Sequence, residues 1–191
     1  MYKVRGNDKR NIMIYGHLDK QPYEEAWLPG LSPTEPVIRD GRLYGRGGSD
    51  DGYSVFATML AIKAAQNLQK ELPTINLVLE TEEESGSENL VPLLQVAEEY
   101  VGIPDCLFCM DSGILDYKQL WVTSSLRGCC MLDFKIETAQ QGFHSGDAGG
   151  IVPDTFRILR ILLDRVEDAQ TGRVCKEFHS DLPEWKLEEA K

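Results

Sequence analysis

Residues 11–22 read "NIMIYGHLDKQP". Ile12, Met13, Ile14 and Tyr15 run into Gly16, and His17 and Asp19 follow at once. A short run rich in β-branched and aromatic residues predicts a buried strand over 11–16. Residues two apart in extended chain point to the same side, so His17 and Asp19 are expected together just past the strand. On this stretch alone, a surface histidine beside a turn aspartate would serve equally well.

Outward from that strand the chain alternates. "EPVIRDGRLYGRG" (35–47) sets Asp40-Gly41 between two short β-like runs, a hairpin signal. Residues 53–70 carry apolar side chains at 55, 59, 62 and at 56, 60, 64, which is a helical period. "TINLVLE" (74–80), opened by Pro73, reads as a strand, 87–100 as a helix beginning near Ser87, and 105–111 as another buried strand. The β, α, β, α, β order predicts an α/β fold, a mixed or parallel sheet flanked by helices. Near residue 123 the pattern changes. "QLWVTSS" (119–125) and "RGCCMLDFKIETA" (127–139) are strand-like, and 153–168 is an amphipathic helix with Pro153 near its start. The charged tail after it shows no evident final element. Two domains are therefore expected, an α/β domain over 1–122 and part of an α+β domain over 123–191.

Composition narrows the partners. The 191 residues are 42% apolar, enough for a real core, and carry 20 Lys+Arg against 31 Asp+Glu, a net charge of -11. Nucleic acid and anionic membranes both call for a basic face, so neither is expected as a partner. No run approaches 18 uncharged apolar residues, and "MYKVRGNDKR" lacks the apolar core of a signal peptide. Five cysteines, an odd number, speak for a reducing compartment, and a cytoplasmic location is the expectation. Cys106 and Cys109 form a C-x-x-C and Cys129-Cys130 follow, which raises a zinc knuckle. Both pairs fall in strand-like runs, so buried apolar thiols are the preferred reading.

Polar clusters follow the strands. His17 and Asp19 come after the first, "ETEEESGS" (80–87) after the second, and Asp111-Ser112 after the third. In open α/β sheets the ligand crevice lies outside the carboxyl ends of the strands. A fourth cluster, Asp50-Asp51, ends the glycine-rich "GRGGSDDG" and opens a helix. A phosphate loop would carry Lys-Ser/Thr there, whereas two carboxylates would repel phosphate and suit a cation. Glu82, Glu83 and Glu84 side by side would repel one another unless something positive lies near. One histidine with several carboxylates is a set that suits zinc or manganese.

"GHLDKQP", "GRGGSDDG", "ETEEESGS", "MDSG" and "FHSG", in this order, resemble the M20 metallopeptidases, most closely their cytosolic, carnosinase-like dipeptidase branch. The resemblance runs over nearly the whole chain. It implies a hydrolase that cleaves dipeptides or small peptides with two divalent metal ions, zinc first and manganese second. His17, Asp50, Glu84 and Asp111 match the family's metal ligands, with Asp50 bridging the two ions and Asp51 beside it. Asp19 matches the residue that orients the histidine, Glu83 the general base, and His144 the residue that stabilises the tetrahedral intermediate from the lid domain. Glu82 stands one residue too early and is read as a spectator. The first domain is then the metal-binding part of the catalytic domain, and the second a partial lid through which family members dimerise. An N-acyl amino-acid deacylase of the same superfamily shares the metal set, and a non-catalytic binding module is the alternative from another class.

One feature departs from the family pattern. The second metal is completed there by a histidine after the lid, and this chain has only His17, His144 and His179. His179 matches no metal position. The sequence thus reads as a fragment whose own metal binding and turnover are expected to be weak, with partial order beyond about residue 170.

Overall fold

Strand β1 (Tyr2–Val4), β2 (Asn11–His17), the hairpin strands β3 (Val37–Arg39) and β4 (Arg42–Tyr44), helix α1 (Tyr53–Asn67) and strand β5 (Thr74–Glu80) open the chain. A 3-10 turn at Glu83–Ser85, helices α2 (Leu90–Val96) and α3 (Glu98–Val101) and strand β6 (Cys106–Cys109) follow. Helices α4 (Ser145–Ala148), α5 (Thr155–Leu163) and α6 (Glu184–Glu189) complete the order, with a 3-10 turn at Lys176–Phe178. This is a computed structural model, and it describes residues 1–23, 26–189 and 191. Two units separate within it, Met1–Leu126 and Arg127–Lys191.

The first unit is built on a four-stranded sheet ordered β1-β5-β2-β6. β2 runs parallel to β5, from Asn11↔Thr74 to His17↔Glu80, and parallel to β6, from Ile12↔Cys106 to Tyr15↔Cys109. β1 joins the other side of β5 antiparallel, which makes the sheet mixed. Ile75, Leu77 and Val78 of β5, with Val101, form the buried apolar core. Asn76 interrupts that run without an unpaired donor: its amide donates to Asn11 Oδ1 at 2.7 Å and to the Val101 carbonyl at 3.2 Å. Asn11 in turn donates to the carbonyls of Val101 and Ile103, so the buried Asn76 amide and the half-buried Asn11 amide tie the end of α3 to the sheet.

α1 meets the sheet through small polar residues, not through its apolar positions. Ser54 and Thr58, one turn apart, are its buried residues, while Phe56, Met59 and Leu60 are exposed. The reason is Gly16: a Cβ there would lie 2.4 Å from Ser54 Oγ and 2.5 Å from Asp51 Oδ2. Only a helix face of small side chains fits so close to β2. The 35–47 hairpin forms as expected, with Asp40 at φ 52° and Gly41 at φ 73°, the left-handed pair that a two-residue turn requires.

Several expected elements differ. The helix expected over 87–100 starts later and divides at Ala97. Ser87 takes φ 52° and its hydroxyl bonds to Glu80, which keeps 86–89 out of the helix. The 105–111 strand is an exposed sheet edge, because β6 has β2 on one side and no neighbour on the other among the described residues. Cys106 and Cys109 on that edge are exposed, not buried, and so are Cys129 and Cys130 in the second unit, where no strand forms around them. Cys106 and Cys109 stand three apart on a strand and point to opposite faces, which does not make a zinc knuckle.

Neither 119–125 nor 127–139 forms a strand. A strand needs a ladder partner, and in the second unit the one described pairing is the isolated Glu167↔Val174 bridge. The helix expected over 153–168 is the shorter α5, capped by Asp154, whose carboxylate accepts from the Arg157 amide at 2.9 Å. Beyond it the chain turns back instead of continuing the helix. Asp168 holds that turn by accepting from the amides of Gln170 and Thr171 and from the Thr171 hydroxyl. The tail does carry a final element, α6, which follows Pro183. Among the described residues, no helix is long and apolar enough to cross a membrane.

Candidate metal centre

The parallel strands β2, β5 and β6 end at one edge of the sheet, and the polar clusters project from there. His17 is the last residue of β2, Asp111 follows β6, and Glu83 and Glu84 ride on the 3-10 turn after β5. Asp50 comes from the loop that precedes α1. The His17 side chain is 0% exposed and the Asp50 side chain 60%, so a fixed imidazole faces a carboxylate in solvent.

His17 Nε2 lies 3.0 Å from Asp50 Oδ1 and 4.0 Å from both Glu83 Oε2 and Asp111 Oδ2. Its Nδ1 faces the Asp19 carbonyl at 3.1 Å and Asp19 Oδ1 at 3.4 Å. The Nδ1 proton is thereby committed to Asp19, and Nε2 is turned to the carboxylates. Asp19 also reaches the other side of the site. Its two carboxylate oxygens accept from the backbone amides of Glu83 at 3.3 Å and Glu84 at 3.0 Å. One aspartate therefore orients both the imidazole and the glutamate turn.

Asp51 has a separate task. It is fully buried, and its carboxylate accepts from the His17 amide at 3.0 Å, from the Ser54 amide at 3.3 Å and from the Gly52 amide. It ties the end of β2 to the start of α1. Glu82 is held by Asn89, whose amide donates to both its carboxylate oxygens. The sequence reading assigned no part to Gln21, which donates to Glu84 Oε2 at 2.6 Å. Its place two residues after Asp19, on the same polar segment, was the available signal.

The electrostatics follow from crowding. Burial raises the Glu83 carboxyl, and Asp111, Glu84 and Asp50 raise it further against the pull of His17. Burial raises Asp111 too, again opposed by His17 and reinforced by Asp50, Asp51 and Glu84. Burial works to lower His17, but the Asp19 carbonyl and the Asp111, Glu83 and Asp50 carboxylates prevail, and it is raised. For Asp19 burial is outweighed by the amides of Glu84 and Glu83 and by His17, which hold it below the usual carboxylate range.

These donors fit divalent metal. Two groups, His17–Asp50–Asp111 and His17–Glu83–Glu84, each bring their ligand atoms within 4.8 Å of one another. Glu84 Oε1 is buried without a hydrogen-bond partner. With Nδ1 committed, the contact of His17 Nε2 with Asp50 calls for a positive charge between them, which a second ring proton or a metal ion supplies. One imidazole with hard carboxylate oxygens is the donor chemistry of zinc and manganese. No cysteine joins either group.

His144 lies in the second unit as the N-cap of α4, its Nδ1 accepting from the Gly146 amide at 3.1 Å. His179 is also in that unit, with Nε2 against the Val174 carbonyl at 3.1 Å.

The chain is similar to the Beta-Ala-His dipeptidase of Rattus norvegicus, 34% identical over 171 residues, covering 86% of this chain and 34% of the relative. The Cys-Gly metallodipeptidase dug1 of Schizosaccharomyces pombe is 37% identical over 155 residues, 77% of this chain and 32% of its own length. The chain thus spans about a third of the curated relatives it matches. Among solved structures, the di-peptidase Dug1p from Saccharomyces cerevisiae superposes with a TM-score of 0.68 at 25% identity, over 97% of this chain and 40% of that one. Human carnosine dipeptidase 1 gives a TM-score of 0.57 at 26% identity, over 97% and 41%. Residues 13–170 match the model of peptidase family M20/M25/M40, and the chain belongs to that family.

Proposed function

We propose that this protein is a metallodipeptidase that hydrolyses the amide bond of dipeptides or small peptides. The observation that carries the reading is the convergence of Asp50, Glu83 and Asp111 within 3.0–4.0 Å of His17 Nε2. Similarity to dipeptidases acting on Beta-Ala-His and Cys-Gly supports the substrate class. His17, Asp50 and Asp111 would hold one divalent ion, and Asp50 with Glu84 the second. When bound, such ions supply Lewis acidity that acidifies water and polarises a carbonyl.

The chain's own groups do the rest. Asp19 fixes the imidazole through Nδ1 and fixes the Glu83–Glu84 turn through two amides, so ligands and base keep one spacing. Glu83 is the general base: it takes the proton of the attacking water on a carboxylate oxygen and delivers it to the departing amine. His144 is assigned as the donor that stabilises the tetrahedral intermediate, and the "FHSG" motif supports that role. Residues 1–122 form the metal-binding part of the catalytic domain and 123–191 part of a lid and dimerisation domain. Zinc is the proposed metal, and five free thiols suit a cytoplasmic setting.

Within this chain, Asp50 and Glu84 are the ligands proposed for the second ion. The test is Glu83→Gln, which keeps size and polarity and removes the proton acceptor. In a full-length protein that carries this chain, metal content should survive while hydrolysis of a dipeptide panel falls by orders of magnitude. Lost metal with residual turnover would overturn the assignment of base and ligand. Wild-type protein that binds no zinc or manganese would overturn the metallodipeptidase reading itself.

A further inference from the structure

Glu80 is a buried carboxylate for which the proposed reaction has no use. It ends β5, is 9% exposed, and stands directly opposite His17 in the parallel register. Its backbone carbonyl accepts from the Leu18 amide at 2.8 Å, which holds the two strand ends level. Its side chain gathers two hydroxyls on one oxygen. Tyr15, two residues before His17, donates to Oε1, and Ser87 donates to the same atom at 2.9 Å. Oε2 is buried without a partner.

These bonds bracket the segment that carries Glu83 and Glu84. The segment leaves the sheet at Glu80, turns through Glu83–Ser85, reaches the left-handed Gly86 and Ser87, and returns to Glu80 through the Ser87 hydroxyl. Inside the loop, Ser85 and Ser87 amides donate to the Glu82 carbonyl. Asp19 grips the near side of the turn through the Glu83 and Glu84 amides. Among the described residues, the other side-chain ties from this segment to neighbouring parts of the chain are the Glu82–Asn89 contact and the bond from Gln21 to Glu84. A buried carboxylate is costly unless hydrogen-bonded, and here its bonds join the strand of the metal-binding histidine to the loop of the base.

We propose that Glu80 is a positioning residue: its carboxylate, shared by Tyr15 and Ser87, sets the Glu83–Glu84 turn at its working distance from His17. The inference rests on the metallodipeptidase reading for its consequence, though not for its geometry. Glu80→Ala releases both hydroxyls. Glu80→Gln keeps an amide oxygen that can accept from both.

Amide exchange on the 191-residue chain, followed by NMR without metal, tests the geometry alone. In Glu80→Ala the Glu83 and Glu84 amides should exchange at least about tenfold faster, while Tyr15 and Leu77 in the strands hold their protection. Glu80→Gln should restore most of the loss. Zinc titration tests the consequence: the ion that Glu84 would hold should lose about 10- to 100-fold in affinity in Glu80→Ala, with the ion of His17, Asp50 and Asp111 unchanged. If Glu80→Ala does not fold, Tyr15→Phe and Ser87→Ala each remove one hydroxyl and should each give part of the same local exchange. Unchanged exchange at Glu83 and Glu84 would overturn the proposal. Uniform loss across β2 and β5 would overturn it too, since that marks a role in general stability. If wild type binds no zinc, the metallodipeptidase reading fails while the exchange result still decides the role of Glu80.

Discussion

Replacing Gly16 by alanine should be among the most damaging single-methyl additions in the first unit. The new Cβ would meet Ser54 Oγ at 2.4 Å, Asp51 Oδ2 at 2.5 Å and Ser54 Cβ at 2.7 Å. Asp51 and Ser54 are both fully buried, so neither can swing into solvent to make room. Overpacking of this kind costs about 1–3 kcal/mol. Relieving it by moving Asp51 lengthens the bond from the His17 amide to its carboxylate, worth a further ~1.5–3 kcal/mol for a charged acceptor. The two losses share atoms and will not add fully, so a fall of about 3–5 kcal/mol is expected. Stability would be read from urea unfolding followed by circular dichroism. Gly41→Ala is the control: nothing lies within 4 Å of its added Cβ, and only the φ of +73° opposes it, a cost of about 1 kcal/mol. Gly16→Ala costing no more than Gly41→Ala would refute the argument that close approach of α1 to β2 is what demands glycine.

Other consequences can be checked alongside. Zinc should raise the unfolding midpoint, by about 2.7 kcal/mol of stability at a hundredfold excess over Kd, and a chelator should reverse it. Asp50→Ala should abolish that gain, because Asp50 is the ligand nearest the imidazole. His144→Asn retains an acceptor for the Gly146 amide, so it should keep α4 and still lower dipeptide turnover strongly, with metal content unchanged. Asp168 is held below the usual carboxylate range by the amides of Thr171 and Gln170 and the Thr171 hydroxyl. A depressed folded pKa contributes stability above the unfolded value near 3.9 and loses it as pH falls through the folded value. Protection of the Thr171 amide should therefore fall below about pH 4 in wild type, and be weak at every pH in Asp168→Ala.

The sheet was legible because its strands are short apolar runs with punctuation. Asn11–His17 and Thr74–Glu80 are bounded by Gly16-His17 and Pro73, and Asp40-Gly41 announces its hairpin. The polar residues past the strand ends were legible for the same reason. What periodicity misplaced depended on partners. The face of α1 follows Gly16 across space, which no helical count within 53–67 can express. The thiols of β6 are exposed because that strand is an edge, a property of sheet order. Alternation over 127–139 is a capacity for pairing and does not supply a strand to pair with. Glu80 was hidden in plain view as the last residue of a strand, its two hydroxyl donors lying two residues before His17 and seven residues downstream.

The contrast between a sealed imidazole and the exposed carboxylate of Asp50 also bears on which cation the protein would carry. His17 cannot retreat, whereas Asp50 projects from a loop and can bind through one oxygen or two. A pocket with fixed ligands on one side and one adjustable carboxylate on the other tolerates some range of ionic radius. Zinc, manganese and cobalt should each be accommodated, and the ion found after purification should track the growth medium. Identity of the metal would then be a property of supply more than of shape.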